Sequence, residues 1–272
     1  MGLRINTNLP ALNAGRILNR STQSLNTTLE RLASGLRINR AKDDAAGLAI
    51  AEGFRSQVLG LAVAQRNAQD GVSLVQTAEG ALSESTNILQ RIRELAVQAA
   101  NGTQSDGNRV ALDSEVAQLL AQIDNIAWET EFNGLKVLST TNTVTLQTGA
   151  NAGQTLTVAV QGASTQQLGI SGVSVSTMAN AVSALSTLDL AIRSVTTLRS
   201  TFGALQNRLE FTINALAIQE ENSAASESAI RDANIARETI NFTRSQILVS
   251  AGTTVLAQAN VIPQTALTLL GG

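Results

Sequence analysis

The sequence predicts a mainly α fold: an elongated, coiled-coil-like helical bundle with a small β-hairpin, plus paired terminal helices. Three observations carry this. Apolar residues recur at alternating steps of three and four over long stretches, the spacing of a helical seam. The chain has only two prolines, Pro10 and Pro263, both near the ends, so nothing between them breaks a helix for want of an N–H. One block alone, near 137–175, abandons the helical period. Of the 272 residues, 43% are hydrophobic but only 2% aromatic, so any core is built from Leu, Ile, Val and Ala, which suits thin bundles.

From the N-terminus, residues 17–36 carry apolar side chains at Leu18, Leu25, Leu29, Leu32 and Leu36, read as one amphipathic helix. Residues 72–99 give Val75, Ala78, Leu82, Ser85, Leu89, Ile92, Ala96 and Ala99, a long seam that stops at Asn101-Gly102. A second helix follows the turn, with Leu112, Val116, Leu119, Ile123 and Ile126, so the two form an antiparallel pair. The pattern changes at Phe132-Asn133-Gly134. Residues 144–148 and 154–160 alternate polar and apolar around Gly149–Gly153, the signature of a hairpin, and 161–177 reads as loop. Helical spacing returns from Val182 through Leu216, and a helix of about 40 residues would be ~60 Å long, too long for a compact globule of this mass. Gly60 and Gly71 lie within helical patterns and read as breaks between shorter helices.

The last forty residues carry three apolar rows at seven-residue spacing. One is Ile235, Phe242, Val249 and Leu256; a second is Ile240, Ile247, Thr254 and Val261; a third is Leu248, Val255, Ile262 and Leu269. A helix with one apolar seam wants one neighbour, and a helix apolar on several rows wants several. The other terminus supplies one neighbour, and further copies of the chain supply the rest. The resulting division is 1–44 with 231–272 as a terminal-helix domain, 45–136 and 178–230 as bundle helices, and 137–177 as hairpin and loop.

Charge is uneven. Residues 1–42 carry +6, residues 43–230 carry −9 and the remainder +1, giving the net −2. A basic arm on an acidic body invites head-to-tail contact between copies, although both can equally be solvated faces. No nucleic-acid partner is expected, because the arm has no aromatic residue to stack on a base and the body repels phosphate. Cysteine and histidine are both absent, which removes disulfides, thiolate chemistry, Cys or His metal ligands and the usual general base. No catalytic residue, metal or cofactor is expected. Nor is a membrane partner, since no apolar run is long enough to span a bilayer. The start lacks a charged-then-apolar signal, so the chain is expected either to stay inside the cell or to leave by a route that reads no such signal. Asp43-Asp44 could be a carboxylate pair but reads better as a helix N-terminus. Trp128, the sole tryptophan, is expected to pack near the hairpin.

Residues 29–50 (LERLASGLRINRAKDDAAGLAI) and 241–263 (NFTRSQILVSAGTTVLAQANVIP) closely resemble the two terminal signatures of bacterial flagellin. The internal stretches LQRIRELAVQAANGT (89–103), TEFNGLKVL (130–138) and FGALQNRLE (202–210) are similar too, in the same order, while the large variable middle of many flagellins is missing. The resemblance implies a secreted, extracellular structural subunit that self-assembles into the flagellar filament for motility. It implies terminal helices lining the inner tube, a rod with a β-hairpin around them, and ends that order on assembly. It also implies the flagellar export apparatus, an export chaperone, the filament cap and hook-junction proteins as partners. Arg91, Leu95 and Glu115 fall where the family meets the Toll-like receptor that senses it. The alternatives are a hook–filament junction protein, which has similar ends, and a cytoplasmic coiled-coil adaptor. A metalloprotease insert is excluded, because its His-Glu-x-x-His motif needs histidine.

Overall fold

The computed structural model describes residues 7–270, with side chains undescribed at 262–264 and 266–270. Five helices form: α1 (Leu9–Ser34), α2 (Ala45–Ala100), α3 (Asp106–Glu129), α4 (Met178–Arg231) and α5 (Ile235–Leu270). Two short antiparallel pairs interrupt them, β1 (Glu131–Phe132) with β2 (Leu135–Lys136) and β3 (Asn142–Gln147) with β4 (Thr155–Val160). The fold is therefore mainly helical with a small hairpin.

Each helix begins where a short polar side chain takes up an otherwise unpaired N–H of the first turn. Asn8 Oδ1 accepts from Ala11 N at 3.1 Å, Asp44 Oδ1 from Gly47 N at 2.9 Å and Ser105 Oγ from Asn108 N at 3.3 Å. Thr177 Oγ1 does the same for Asn180 N and Asn234 Oδ1 for Arg237 N. Asp44 thus caps a helix, as expected. Its neighbour Asp43 takes the backbone N–H groups of Arg40 and Asn39, and these, the former first, hold its carboxyl below the usual carboxylate range. α1 closes on Gly35, whose φ of 71° suits a residue without a Cβ. Leu36, expected on the helix, therefore lies beyond it and pairs in a single β-bridge with Asp232.

The chain divides into two compact units. The unit of residues 57–221 holds the main core. All eight seam residues predicted between Val75 and Ala99 are buried, together with Val116 and Ile123 of α3 and Leu188, Val195, Leu198, Phe202 and Leu209 of α4. Strand β4 alternates exposed and buried residues, and Leu156, Val158 and Val160 lie in the same core. The β1–β2 pair turns through Asn133 (φ 49°) and Gly134 (φ 78°), the left-handed dipeptide that two-residue hairpin loops favour.

Two expectations fail here. α2 runs unbroken through Gly60 and Gly71. An added Cβ at Gly60 would meet the Ala150 Cβ at 3.0 Å, and one at Gly71 would collide with Leu146. These glycines mark close approach of the hairpin to the helix rather than helix ends. Trp128 is 56% exposed and so is not packed into the unit. The reading of 161–177 as loop holds, since no regular element forms there, and Ala163, Ile170 and Val175 of that loop join the core. The second unit comprises the described residues up to Ser56 and from Asn222 on, and its main contact is α1 along α5.

Candidate functional site

On the α1–α5 pair, several apolar side chains of α5 remain uncovered after the two helices have packed together. On α1, Ala11, Ala14, Leu18, Ser21, Leu25, Thr28 and Leu32 are half-buried or buried, at steps of three and four. On α5 the matching stripe is Glu238, Phe242, Ser245, Val249, Gly252, Leu256 and Ala259. The helices are antiparallel. Arg31 Nη1 lies 3.5 Å from Glu238 Oε1, the Ser24 and Ser245 hydroxyls are 3.5 Å apart, and Asn8 Nδ2 donates to the Ala259 carbonyl at 2.8 Å. Gly252 lets Leu18 in: a Cβ there would sit 3.1 Å from Leu18 Cδ1. The seam is coiled-coil-like in period but carries polar or small residues at alternate positions.

The chain is also laced together beside this pair. Arg37 N and Ile38 N both donate to the Arg231 carbonyl, Ala233 N donates to Gly35 O, and the Arg37 guanidinium donates to the Ile230 carbonyl. The Arg231 guanidinium, 15% exposed, pairs with Glu52 at 3.0 Å and with Glu227 at 3.8 Å. The connection between α4 and α5 is thereby tied to the segment that follows α1.

Of the assembly residues expected from sequence, Leu18, Leu25 and Leu32 lie on the α1 seam, as do Phe242, Val249 and Leu256 on that of α5. Leu29 does not: it is exposed, and Thr28 occupies the seam position, because a step of four from Leu25 rotates Leu29 past the contact line. Leu36 serves the crossing instead of the helix. Ile235 is exposed at the start of α5. Ile240, Ile247, Leu248, Val255 and Val261, on the second and third rows, are exposed too, Ile247 by 62%. The Ile262 and Leu269 side chains lie outside the described residues. Sequence reading missed Thr28, Glu238 and Ser245 because it followed apolar residues only. The seven-residue row Glu238, Ser245, Gly252, Ala259 was the available signal.

In the other unit, Arg91 and Glu115 come together. The Arg91 guanidinium donates to Glu115 Oε1 at 3.0 Å and to Glu94 Oε2 at 3.2 Å, and these bonds, Glu115 first, hold its proton more firmly. Leu95, expected beside them as a contact residue, is 1% exposed and belongs to the core, so the folded unit offers a partner none of it. No group of three or more His, Cys, Asp or Glu among the described residues could hold a metal ion. Among them, too, no helix is long and apolar enough to cross a membrane.

Residues 5–143 match the bacterial flagellin N-terminal helical region, and residues 185–270 the bacterial flagellin C-terminal helical region. The chain is 46% identical over 269 residues to a flagellin of Halalkalibacterium halodurans, covering 98% of this chain and 99% of that one. It is 42% identical over 283 residues to the flagellar filament 31.3 kDa core protein of Treponema maltophilum, with coverage of 98% and 99%. The crystal structure of Bacillus cereus flagellin aligns at a TM-score of 0.52 with 37% identity, covering 56% of this chain and 88% of that one. With both terminal regions matched and near-complete coverage at this identity, the chain belongs to the bacterial flagellin family.

Proposed function

We propose that this chain is a structural subunit of the bacterial flagellar filament, that it builds the filament by self-association, and that it performs no catalysis. One observation carries the reading. With the Phe242–Val249–Leu256 face of α5 turned to α1, the side chains of Ile240, Ile247, Leu248, Val255 and Val261 still stand in water. They are 49–62% exposed, so taking the rest of each out of water contributes about half of the roughly 1.5–3 kcal/mol that full burial supplies. Among the described residues no helix covers these rows, and neighbouring copies can supply one. A contact that repeats without closing produces an open helical polymer rather than a ring.

The same reading makes the filament exterior to the cell the site of action. It makes the export apparatus, an export chaperone, the filament cap and hook-junction proteins the other partners. For the flagellin-sensing Toll-like receptor, Arg91 and Glu115 are the residues a partner can reach, and Leu95 acts only by supporting the helix beneath them.

The test is electron microscopy and light scattering of the purified chain after seeding, beside a version lacking 235–272. The full chain forms open-ended, concentration-dependent polymers. The shortened chain forms none, while circular dichroism shows that the helical bundle of residues 57–221 stays folded. Filaments from the shortened chain would remove the basis of the proposal.

A further inference from the structure

We propose that Arg31 and Glu238, with Leu18 against Gly252, select the register of the α1–α5 pair, and so decide which residues the pair presents to neighbouring subunits. The inference rests on the filament reading and adds the device that sets its geometry.

The apolar residues cannot select a register by themselves. Leu18, Leu25 and Leu32 are seven residues apart, and so are Phe242, Val249 and Leu256. Sliding one helix past the other by seven residues, ~10 Å, lays leucine on apolar side chains again. On α1, Ala11, Ala14 and Ser21 tolerate the slide as well, since they present little shape to oppose it. A seam of this kind has several nearly equivalent alignments, and something polar or steric must distinguish them.

Two contacts do. The Glu238 side chain is only 10% exposed and has the Arg31 guanidinium 3.5 Å away. After a slide of seven residues in one direction Glu238 faces Ser24; in the other it faces the segment beyond the end of α1. Either way a carboxylate that is almost enclosed loses its cation, a far larger loss than an exposed pair would suffer. The Arg31 side chain keeps 31% of its surface exposed, but its Nε is enclosed without a hydrogen-bond acceptor, so part of the guanidinium has been taken out of water beside this contact. Leu18 gives the second discrimination. It sits against Gly252, where a Cβ would come within 3.1 Å of its Cδ1; a slide of seven puts Ser245 or Ala259, each with a Cβ, in that place. The two contacts lie on opposite sides of the Ser24–Ser245 approach and agree on one alignment.

Register matters because α5 is apolar on more than one face. A slide moves Ile247, Leu248 and Val255 by two helical turns relative to α1 and to the tie between Gly35–Ile38 and Arg231–Ala233. Copies in different registers then present incompatible surfaces, and growth stops at a misaligned subunit.

The experiment uses the full chain, whose lack of cysteine permits clean cross-linking. Ser24→Cys with Ser245→Cys reports the native register on mild oxidation, and Ser21→Cys with Leu256→Cys, seven residues out of that register, reports a slide. Into each go Arg31→Glu, Glu238→Arg and both together. Each single reversal is expected to reduce the native cross-link and the seeded elongation rate by about tenfold or more, and the double reversal to restore both. Glu238 also lies in the first turn of α5, where a carboxylate favours the helix by itself. If that is its whole role, the double reversal does not rescue, and the proposal is overturned. It is equally overturned if single reversals cross-link and elongate like the parent. A parent chain that cross-links natively but never polymerises refutes the filament reading alone; a parent that polymerises without the native cross-link refutes the register alone.

Discussion

At Gly60 a single hydrogen atom decides whether α2 can lie against the hairpin loop. A methyl group there would press on Ala150 at both Cβ (3.0 Å) and Cα (3.3 Å), so the backbone of the loop must give. At Gly80, in the same helix, nothing lies within 4 Å of the added atom. Gly80→Ala should stabilise by about 0.5–1 kcal/mol through helix propensity. Gly60→Ala should destabilise, because overpacking of about 1–3 kcal/mol exceeds that gain. Thermal melts separate the two by opposite shifts in Tm. Arg93 and Asp189 make a second residue-scale case. The Arg93 Nε donates to Asp189 Oδ1 at 2.8 Å, and chiefly this bond holds the Asp189 carboxyl below its usual range. A carboxylate lowered by folding adds stability above the unfolded value of about 3.9 and loses it as the pH falls through the folded value. Asp189→Asn should therefore flatten that acid-side portion of the Tm–pH curve and lower Tm slightly near pH 7, the pair being exposed and screened. An unchanged acid limb would contradict the assignment.

At the scale of elements, α3 acts as a clamp for a segment that has no secondary structure of its own. Asp124 takes Thr165 N and Oγ1, each at 2.8 Å, and Asp113 takes Ser174 Oγ at 2.9 Å and Val175 N at 2.6 Å. Residues 161–177 are thus an ordered part of the core wall rather than a free loop. Asp124→Ala leaves the enclosed Thr165 N–H without its acceptor and should cost about 1–3 kcal/mol. Urea unfolding should show that loss, and limited proteolysis should find new cleavage within 161–177. The turn from α2 to α3 is held in a similar way by Arg109, nearly enclosed, whose guanidinium reaches the carbonyls of Ala99 (2.9 Å) and Asn101 (3.1 Å) and the Asp106 carboxylate (3.1 Å). That arrangement satisfies carbonyls that the end of a helix otherwise leaves open.

At the scale of the whole molecule, the design question is how one chain carries its assembly surface. The inward stripe of α5 is polar or small at alternate positions, and the outward rows are the more apolar ones, which inverts the usual amphipathic helix. Leu248→Asp together with Val255→Asp should leave the fold of residues 57–221 unchanged by circular dichroism. Elongation from seeds should vanish, because a charge on either residue cannot be taken out of water in a packed interface without a partner. If the double variant elongates at the parent rate, these rows are not the assembly surface.

Local chemistry alone made most of the elements legible. Period, caps and turn residues act through the covalent neighbourhood, so the buried seam from Val75 to Ala99, the helix start at Asp44 and the hairpin around Gly149–Gly153 could all be read from one strand of text. The flagellin resemblance was legible for the same reason, residing in contiguous blocks. What tertiary structure alone decided is which of several equivalent surfaces meets which. It turned Phe242 inward and Leu248 outward, made Gly60 and Gly71 contact points, left Trp128 in water, and set Glu115 beside Arg91 while enclosing Leu95. Those choices depend on atoms brought together from distant parts of the chain. Periodicity specifies that a helix has a face to bury, but not the partner that buries it.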